Sequence, residues 1–141
     1  MESELIPEGF KPGKGPYSSL IGPLLYKREI DADGRHIGTV GLLLREDHIG
    51  GNQRGHGGLL LTLLDEAMGM NAYLARDGMP TVTVSMQTQF LGPTIPGQFL
   101  MATASINKIT ATMAFMEGKA WCGDTLVGVG SGVWKYLKKR D

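Results

Sequence analysis

The sequence has a single cysteine, Cys122, and no excess of charge of either sign. One cysteine cannot form an intrachain disulfide, so a secreted domain held together by disulfides is excluded and a reducing compartment is expected. Fourteen basic residues balance fourteen acidic ones, and this balance removes the basic footprint that binding to a nucleic-acid backbone requires. We therefore expect no nucleic-acid partner.

We expect neither a membrane-spanning segment nor a signal peptide. Its longest apolar window, residues 59–75, carries four polar residues, Thr62, Asp65, Glu66 and Asn71, which is too costly a load for a helix in lipid. The N-terminus has no basic stretch followed by an apolar one, the pattern of a secretory signal peptide. We expect a cytoplasmic protein that does not associate with a membrane.

A metal site is not indicated either. The three histidines, His36, His48 and His56, do not follow the spacing of metal ligands, and Cys122 has no second cysteine near it in the sequence. We expect no metal ion and no cofactor.

The length of 141 residues fits one domain. Residues 1–23 hold four of the seven prolines and predict an irregular lead-in with a short turn of helix near residues 17–21. From residue 24 onward the apolar pattern is regular. We therefore predict a single folded domain over residues 24–141.

The order of predicted elements is two strands, one long helix and four strands. Asp33-Gly34 between apolar runs indicates a hairpin turn. Residues 57–76 predict the helix, because they are apolar nearly all round. Residues 81–90 alternate regularly, which predicts Val84 and Met86 on one face of a strand. The expected fold is α+β, an antiparallel sheet of about six strands wrapped around one helix, with uncovered surface that predicts a homo-oligomer.

The start of the helix suggests a binding site for a carbonyl oxygen. Gly57 and Gly58 follow His56 where the first turn of a helix leaves backbone N–H groups unpaired. Without a Cβ atom, these glycines let an acyl carbonyl approach, so the Gly57 N–H is a candidate oxyanion donor. The alternative is a tight turn with no chemical role.

Asp65 is the second candidate, because a carboxylate in the middle of an apolar helix is costly to bury. At 100° per residue it shares a face with Gly58, Thr62 and Gly69, small residues that suit the floor of a groove. The alternative is a buried ion pair, either with Arg54 or across a dimer interface. Glu66, rotated by about 100°, is interpreted as a structural or groove-edge carboxylate.

These motifs together resemble a known family. N-x-x-G, then HGG, the helix HGGLLLTLLD and the strand TVTVSMQTQFLGP are similar to the hotdog-fold acyl-CoA thioesterases of the phenylacetic-acid (PaaI) type, over roughly residues 24–136. The resemblance implies hydrolysis of acyl-CoA in a homodimer or homotetramer whose active sites lie at a subunit interface. It also implies that Asp65 acts as nucleophile or general base opposite the HGG of the neighbouring subunit.

Further site residues follow from the resemblance. It implies that Thr83 holds the attacking water and that His56 shapes the site. Asn52 matches the family asparagine by pattern, but the family spacing is N-x-x-G-x-x-HGG, and here Asn52 stands two residues too close to His56. Contacts with substrate are expected from a further set: Gly58, Thr62, Met68, Gly69, Val84 and Ser85.

Other functions remain open at this point. A hotdog dehydratase or hydratase would use a histidine and an acidic residue, although the sequence context of its histidine is not found here. A non-catalytic acyl-CoA binding module is a second alternative, and nucleophilic catalysis by Cys122 a third, with no histidine placed to activate it. The sequence leaves the acyl group open, as it does the choice between a nucleophile and a general base, and between a dimer and a tetramer.

Overall fold

The computed structural model describes residues 5–138 and consists of an antiparallel sheet around one long helix. The helices are α1 (Pro16–Ile21) and α2 (Gly57–Ala75), with a 3₁₀ turn at Glu46–His48. The strands are β1 (Lys11–Pro12), β2 (Leu25–Ile30), β3 (His36–Leu43), β4 (Thr81–Phe90), β5 (Phe99–Ile109), β6 (Met113–Cys122) and β7 (Thr125–Tyr136). Residues 1–4 of the predicted lead-in and 139–141 of the predicted domain lie outside the described residues.

The strands form one sheet in the order β1-β2-β3-β5-β6-β7-β4, and every pair of neighbours is antiparallel. This agrees with the predicted α+β architecture. The seventh strand, β1, is only two residues long and lies in the lead-in, where sequence patterning predicted no strand. Strand β4 follows α2 in the chain but lies at the far edge of the sheet, beside β7.

Helix α2 lies across the sheet and supplies much of the hydrophobic core. Its leucines Leu60, Leu63 and Leu64 are buried together with β-strand side chains such as Trp134. The helix ends one residue before its predicted end, and the Gly78 N–H donates to the Tyr73 carbonyl at 3.0 Å. Gly78 has φ of 82°, a left-handed conformation that glycine adopts without strain.

A strip of α2 stays open along the side of the helix next to the edge strand β4. Leu61 and Tyr73 are exposed there, and Thr62, Asp65 and Gly69 are half-buried between them. Because a helix that is apolar nearly all round is normally enclosed, this open strip is a surface available to substrate or to a second chain.

The predicted regular alternation of β4 is wrong at one position. A β-bulge lies between Thr83 and Ser85, so Val84 is the extra residue. Before the bulge, the Thr83 side chain faces α2; after it, Met86 packs against the core. The bulge therefore shifts the alternation of side chains between the two faces of the strand by one residue. As a result, Val84 and Met86 lie on different faces.

No helix within residues 5–138 is both long enough and apolar enough to cross a membrane.

Candidate active site

His56 is the N-cap of α2 and fixes the geometry of the helix start. Its Nδ1 accepts a hydrogen bond from the Gly58 N–H at 2.8 Å, so the remaining ring proton of a neutral His56 lies on Nε2. The His56 N–H in turn donates to the His48 carbonyl at 2.9 Å. The His48 ring accepts from the Arg45 N–H and donates to the carbonyl of Ile21 at the end of α1.

The two glycines after His56 have different structural tasks. A Cβ on Gly58 would lie 3.0 Å from His56 Nδ1, so glycine at this position leaves room for the capping ring. The Gly58 N–H is already engaged by that ring. The Gly57 N–H is at the first position of the helix, where no intrahelical acceptor exists, and no hydrogen bond within residues 5–138 uses it. Of the two amides, Gly57 is the one free to bind a ligand oxygen.

A cavity of about 390 Å³ opens beside this helix start. Its polar lining residues include Asn52, Arg54 and His56, and its apolar lining residues include Leu59 and Phe90. The Phe90 ring is the group that a Cβ on Gly57 would contact, at 3.4 Å. The cavity therefore brings a free amide, a cation and apolar surface together.

The loop before His56 accounts for the departure from the family spacing. It closes on itself through a hydrogen bond from the Gly50 N–H to the Arg54 carbonyl at 2.8 Å. Counted back from His56, the glycine of the N-x-x-G-x-x-H pattern falls on Gln53, whose φ of 62° is left-handed. By the same count the family asparagine position is Gly50. Asn52 lies exposed at the tip of this loop.

Asp65 is paired with Thr83 in the structure. The Thr83 hydroxyl donates to Asp65 Oδ1 at 2.7 Å, a short hydrogen bond to a half-buried carboxylate. None of the ion pairs found within residues 5–138 involves Asp65. The alternative of a buried pair with Arg54 therefore has no support in this chain.

A second cavity, of about 200 Å³, lies beside Asp65 and Thr83. Glu66, Gly69 and Trp134 also line it. Sequence reasoning missed Trp134, because only the pairing of β4 with β7 brings it opposite Thr83. Burial is the main cause that raises the pKa of Glu66 above its ordinary value; the hydroxyl of Tyr26, 3.2 Å from Glu66 Oε2, lowers it, and the charge of Asp65 raises it further.

Thr62 lies on the open strip of α2 between these two cavities. Its hydroxyl donates to the Gly58 carbonyl at 3.1 Å, so it accepts from the Tyr17 hydroxyl at 3.3 Å. Helix α1 is thereby tied to the exposed side of α2, next to the predicted groove floor.

Three of the predicted substrate contacts lie elsewhere in the described chain. Met68 has no exposed surface, and its side chain packs close to Gly118 and Gly130 of the sheet. Ser85 pairs with Val133 and lines a separate cavity, away from Asp65. Val84 is the bulge residue and is 55% exposed at the sheet edge. The prediction is corrected for Met68, because helical periodicity alone did not show which side of α2 meets the sheet.

Two other sequence interpretations concern metal ions and Cys122. Among residues 5–138 there is no cluster of three or more histidine, cysteine, aspartate or glutamate side chains able to hold a metal ion. Cys122 is half-buried at the end of β6, and burial raises the pKa of its thiol, which lowers the fraction of reactive thiolate.

The chain is similar to proteins of known family. A family profile described as thioesterase superfamily matches residues 54–129. A Pseudomonas aeruginosa protein named "putative esterase" is 32% identical over 132 residues, which cover 92% of this chain and 96% of that protein.

Solved structures match most of the chain. A Bacillus halodurans protein crystallised with CoA is 29% identical, with a TM-score of 0.67, over 81% of this chain and 75% of its own. The PaaI protein of Escherichia coli, from the phenylacetic acid degradation operon, is 22% identical, with a TM-score of 0.67, over 72% of each chain.

Proposed function

The chain belongs to the thioesterase superfamily and has the predicted hotdog fold, and on this premise we propose that it hydrolyses acyl-CoA thioesters to the free acid and CoA in an active site shared by two copies of the chain. Membership supports thioester hydrolysis in general terms. The observation that carries the finer proposal is the hydrogen bond from Thr83 to Asp65, which prepares a carboxylate beside an open cavity.

The site requires two chains because its parts are too far apart on one. Gly57 and Asp65 are eight residues apart on α2, which corresponds to about 12 Å along the helix axis. A thioester carbonyl whose oxygen accepts from the Gly57 N–H presents its carbon to a nucleophile only about 3 Å away. We therefore propose that the Gly57 amide of one chain faces the Asp65 carboxylate of its partner.

In the general-base route, Asp65 removes a proton from water while the water oxygen attacks the thioester carbon. The Gly57 N–H stabilises the negative charge that develops on the carbonyl oxygen. The carbon–sulfur bond then breaks, the acid leaves, and the CoA thiolate takes the proton back from Asp65. In the nucleophilic route, Asp65 itself attacks and forms an anhydride, which water hydrolyses to the same products.

The choice of CoA as the leaving group has two supports. The Bacillus halodurans relative was solved with CoA. In this chain, the lining of the cavity beside Gly57 combines apolar side chains with the cation of Arg54, a combination that suits a pantetheine arm followed by phosphate groups.

The test is thiol release from a panel of aryl-CoA and alkyl-CoA substrates. Wild type should cleave at least one of them, and Asp65→Asn should lose that activity while it keeps its melting temperature and its binding of CoA. Asp124→Asn, at the exposed turn between β6 and β7, is the matched control and should stay active. Cys122 is a free thiol, so its reaction with the detection reagent must be subtracted.

Two outcomes would refute the proposal. If wild type cleaves no thioester in the panel, the enzyme assignment fails. If Asp65→Asn cleaves as fast as wild type, the carboxylate is structural. A single turnover in ¹⁸O-labelled water identifies the nucleophilic route if the Asp65 carboxylate becomes labelled, as it does when water attacks the anhydride at the aspartyl carbon.

A further inference from the structure

Trp134 is a buried side chain with an unused hydrogen-bond donor at the Asp65 cavity. It is 1% exposed and lines the same cavity as Asp65 and Thr83. Hydrogen bonds within residues 5–138 include none from the indole Nε1. Within the same residues, the fully enclosed side-chain nitrogen and oxygen atoms without a hydrogen-bond partner are Arg45 Nε and Thr88 Oγ1. The indole nitrogen also has no partner but is not among them, so it is not fully enclosed by the core. Buried tryptophans normally pair this N–H.

Gly69 keeps the indole N–H accessible. A Cβ on Gly69 would lie 3.3 Å from Trp134 Nε1 and 3.6 Å from Cδ1, so the edge of the ring that carries the donor faces the helix at this glycine. Glycine within a helix costs about 1 kcal/mol relative to alanine. At this position, the missing side chain leaves space between the indole N–H and the open strip of α2.

Thr83 and Trp134 are directly paired across β4 and β7 and present their donors to successive turns of α2. The Thr83 hydroxyl donates its one proton to Asp65. The indole N–H of Trp134 faces Gly69. Gly69 is four residues after Asp65 and therefore lies on the same face of the helix. Because the Thr83 proton is already used, Thr83 can only accept a hydrogen bond from a water in the cavity.

From this arrangement we propose that the Trp134 Nε1–H holds and orients the hydrolytic water next to Asp65. The proposal rests on the proposed function. The water accepts from the indole N–H and donates to Asp65, and one lone pair remains for attack on the thioester carbon. The proton that it loses goes to Asp65, and the indole keeps its own proton throughout. Trp134 is thus a positioning residue, and the cavity of about 200 Å³ has room for such a water.

The sharpest test removes the N–H and keeps the shape. Replacement of Trp134 by benzothienylalanine, in a Trp121→Phe background, substitutes sulfur for the indole nitrogen at this site alone. We expect kcat to fall roughly ten- to a hundredfold, as when one positioned donor is removed, with KM and melting temperature unchanged. Trp121→Phe with natural Trp134 is the control.

Gly69→Ala tests the same water from the opposite side. The added methyl group occupies the space in front of Nε1, 3.3 Å from it, so kcat should fall. Alanine is the better helix former, which offsets this close contact, so the melting temperature should change little. A merely structural role for Trp134 would change stability and kcat in the same direction. A crystal structure of the wild-type oligomer should show a water bonded to both Trp134 Nε1 and Asp65.

The possible failures are distinguishable. If wild type is active and Asp65→Asn is not, but the benzothienylalanine protein keeps the kcat of its control, the proposal for Trp134 is overturned and the proposed function stands. If wild type cleaves no thioester, the proposed function fails, and the proposal for Trp134 fails with it.

Discussion

The hydroxyl of Thr83 donates to Asp65 Oδ1 at 2.7 Å and so joins the edge strand β4 to the middle of α2. The donor fixes the orientation of one carboxylate oxygen, which leaves the other oxygen for a second partner. The bulge at Val84 follows immediately, and after it Met86 packs against the core. The strand therefore serves the site with Thr83 and the core with Met86.

Removal of this hydroxyl should reduce activity more than stability. We expect Thr83→Val to lower kcat by roughly ten- to a hundredfold and the free energy of unfolding by about 1 kcal/mol, since the pair is partly open to solvent. Thr83→Ser keeps the hydroxyl and should retain most of the activity. Steady-state kinetics and urea unfolding measure both effects. Equal kcat values for the valine and serine variants would contradict the proposed role.

A shared site should allow two inactive variants to restore activity in each other's presence. Asp65→Asn removes the carboxylate that one chain contributes to each site. Gly57→Pro removes the amide donor that the other chain contributes. Co-refolding of equal amounts should give about a quarter of wild-type activity, because about half the dimers are mixed and each of these has one intact site. Thiol release before and after mixing measures the gain. If the mixture stays as inactive as its components, the site lies within one chain.

The raised pKa of Glu66 predicts how its replacement changes stability with pH. The folded chain binds this proton more tightly than the unfolded chain, so the contribution of Glu66 is fully present below its ordinary pKa of 4.5 and is lost as the pH rises through the raised folded pKa. Glu66→Gln has no such loss. Its stability relative to wild type, measured by urea unfolding, should therefore be higher at pH 7 than at pH 4. If the stability difference between Glu66→Gln and wild type were the same at pH 4 and pH 7, this would argue against burial as the cause of the raised pKa.

The core position of Met68 predicts a defect of folding and not of substrate selection. Met68→Ala should lower the free energy of unfolding by about 2–5 kcal/mol, since the cavity it leaves is fully buried. Met68→Leu keeps most of the volume and should cost less than about 1.5 kcal/mol. The relative rates on the acyl-CoA panel should be unchanged by Met68→Leu. A shift of acyl preference with normal stability would return Met68 to the list of substrate contacts.

The features that sequence predicted are those encoded locally. The bounds of α2 follow from His56-Gly57-Gly58 at one end and Gly78 at the other, and the structure ends the helix within one residue of the prediction. The proximity of Thr83 to Asp65 came from the family motif. In the structure it results from a short chain reversal after α2.

The features that sequence missed depend on how distant strands pair. Trp134 is 69 residues from Asp65 and reaches the site because β7, and not β5, lies beside β4. The bulge at Val84 is likewise a property of the pairing with β7. The conformation of the loop before His56 was also not predictable, because Gln53 adopts a left-handed conformation that is uncommon for residues other than glycine.

The chain of contacts from Ile21 through His48 to His56 has a consequence for anyone who shortens this protein. The carbonyl of Ile21 is the acceptor for the His48 ring, and the His48 carbonyl is the acceptor for the His56 N–H. A truncation at residue 24 would remove the first acceptor and leave a buried imidazole N–H unpaired. The lead-in is thus an anchor for the loop that presents the Gly57 amide, and an expression boundary drawn where the regular apolar pattern begins would cut that anchor away.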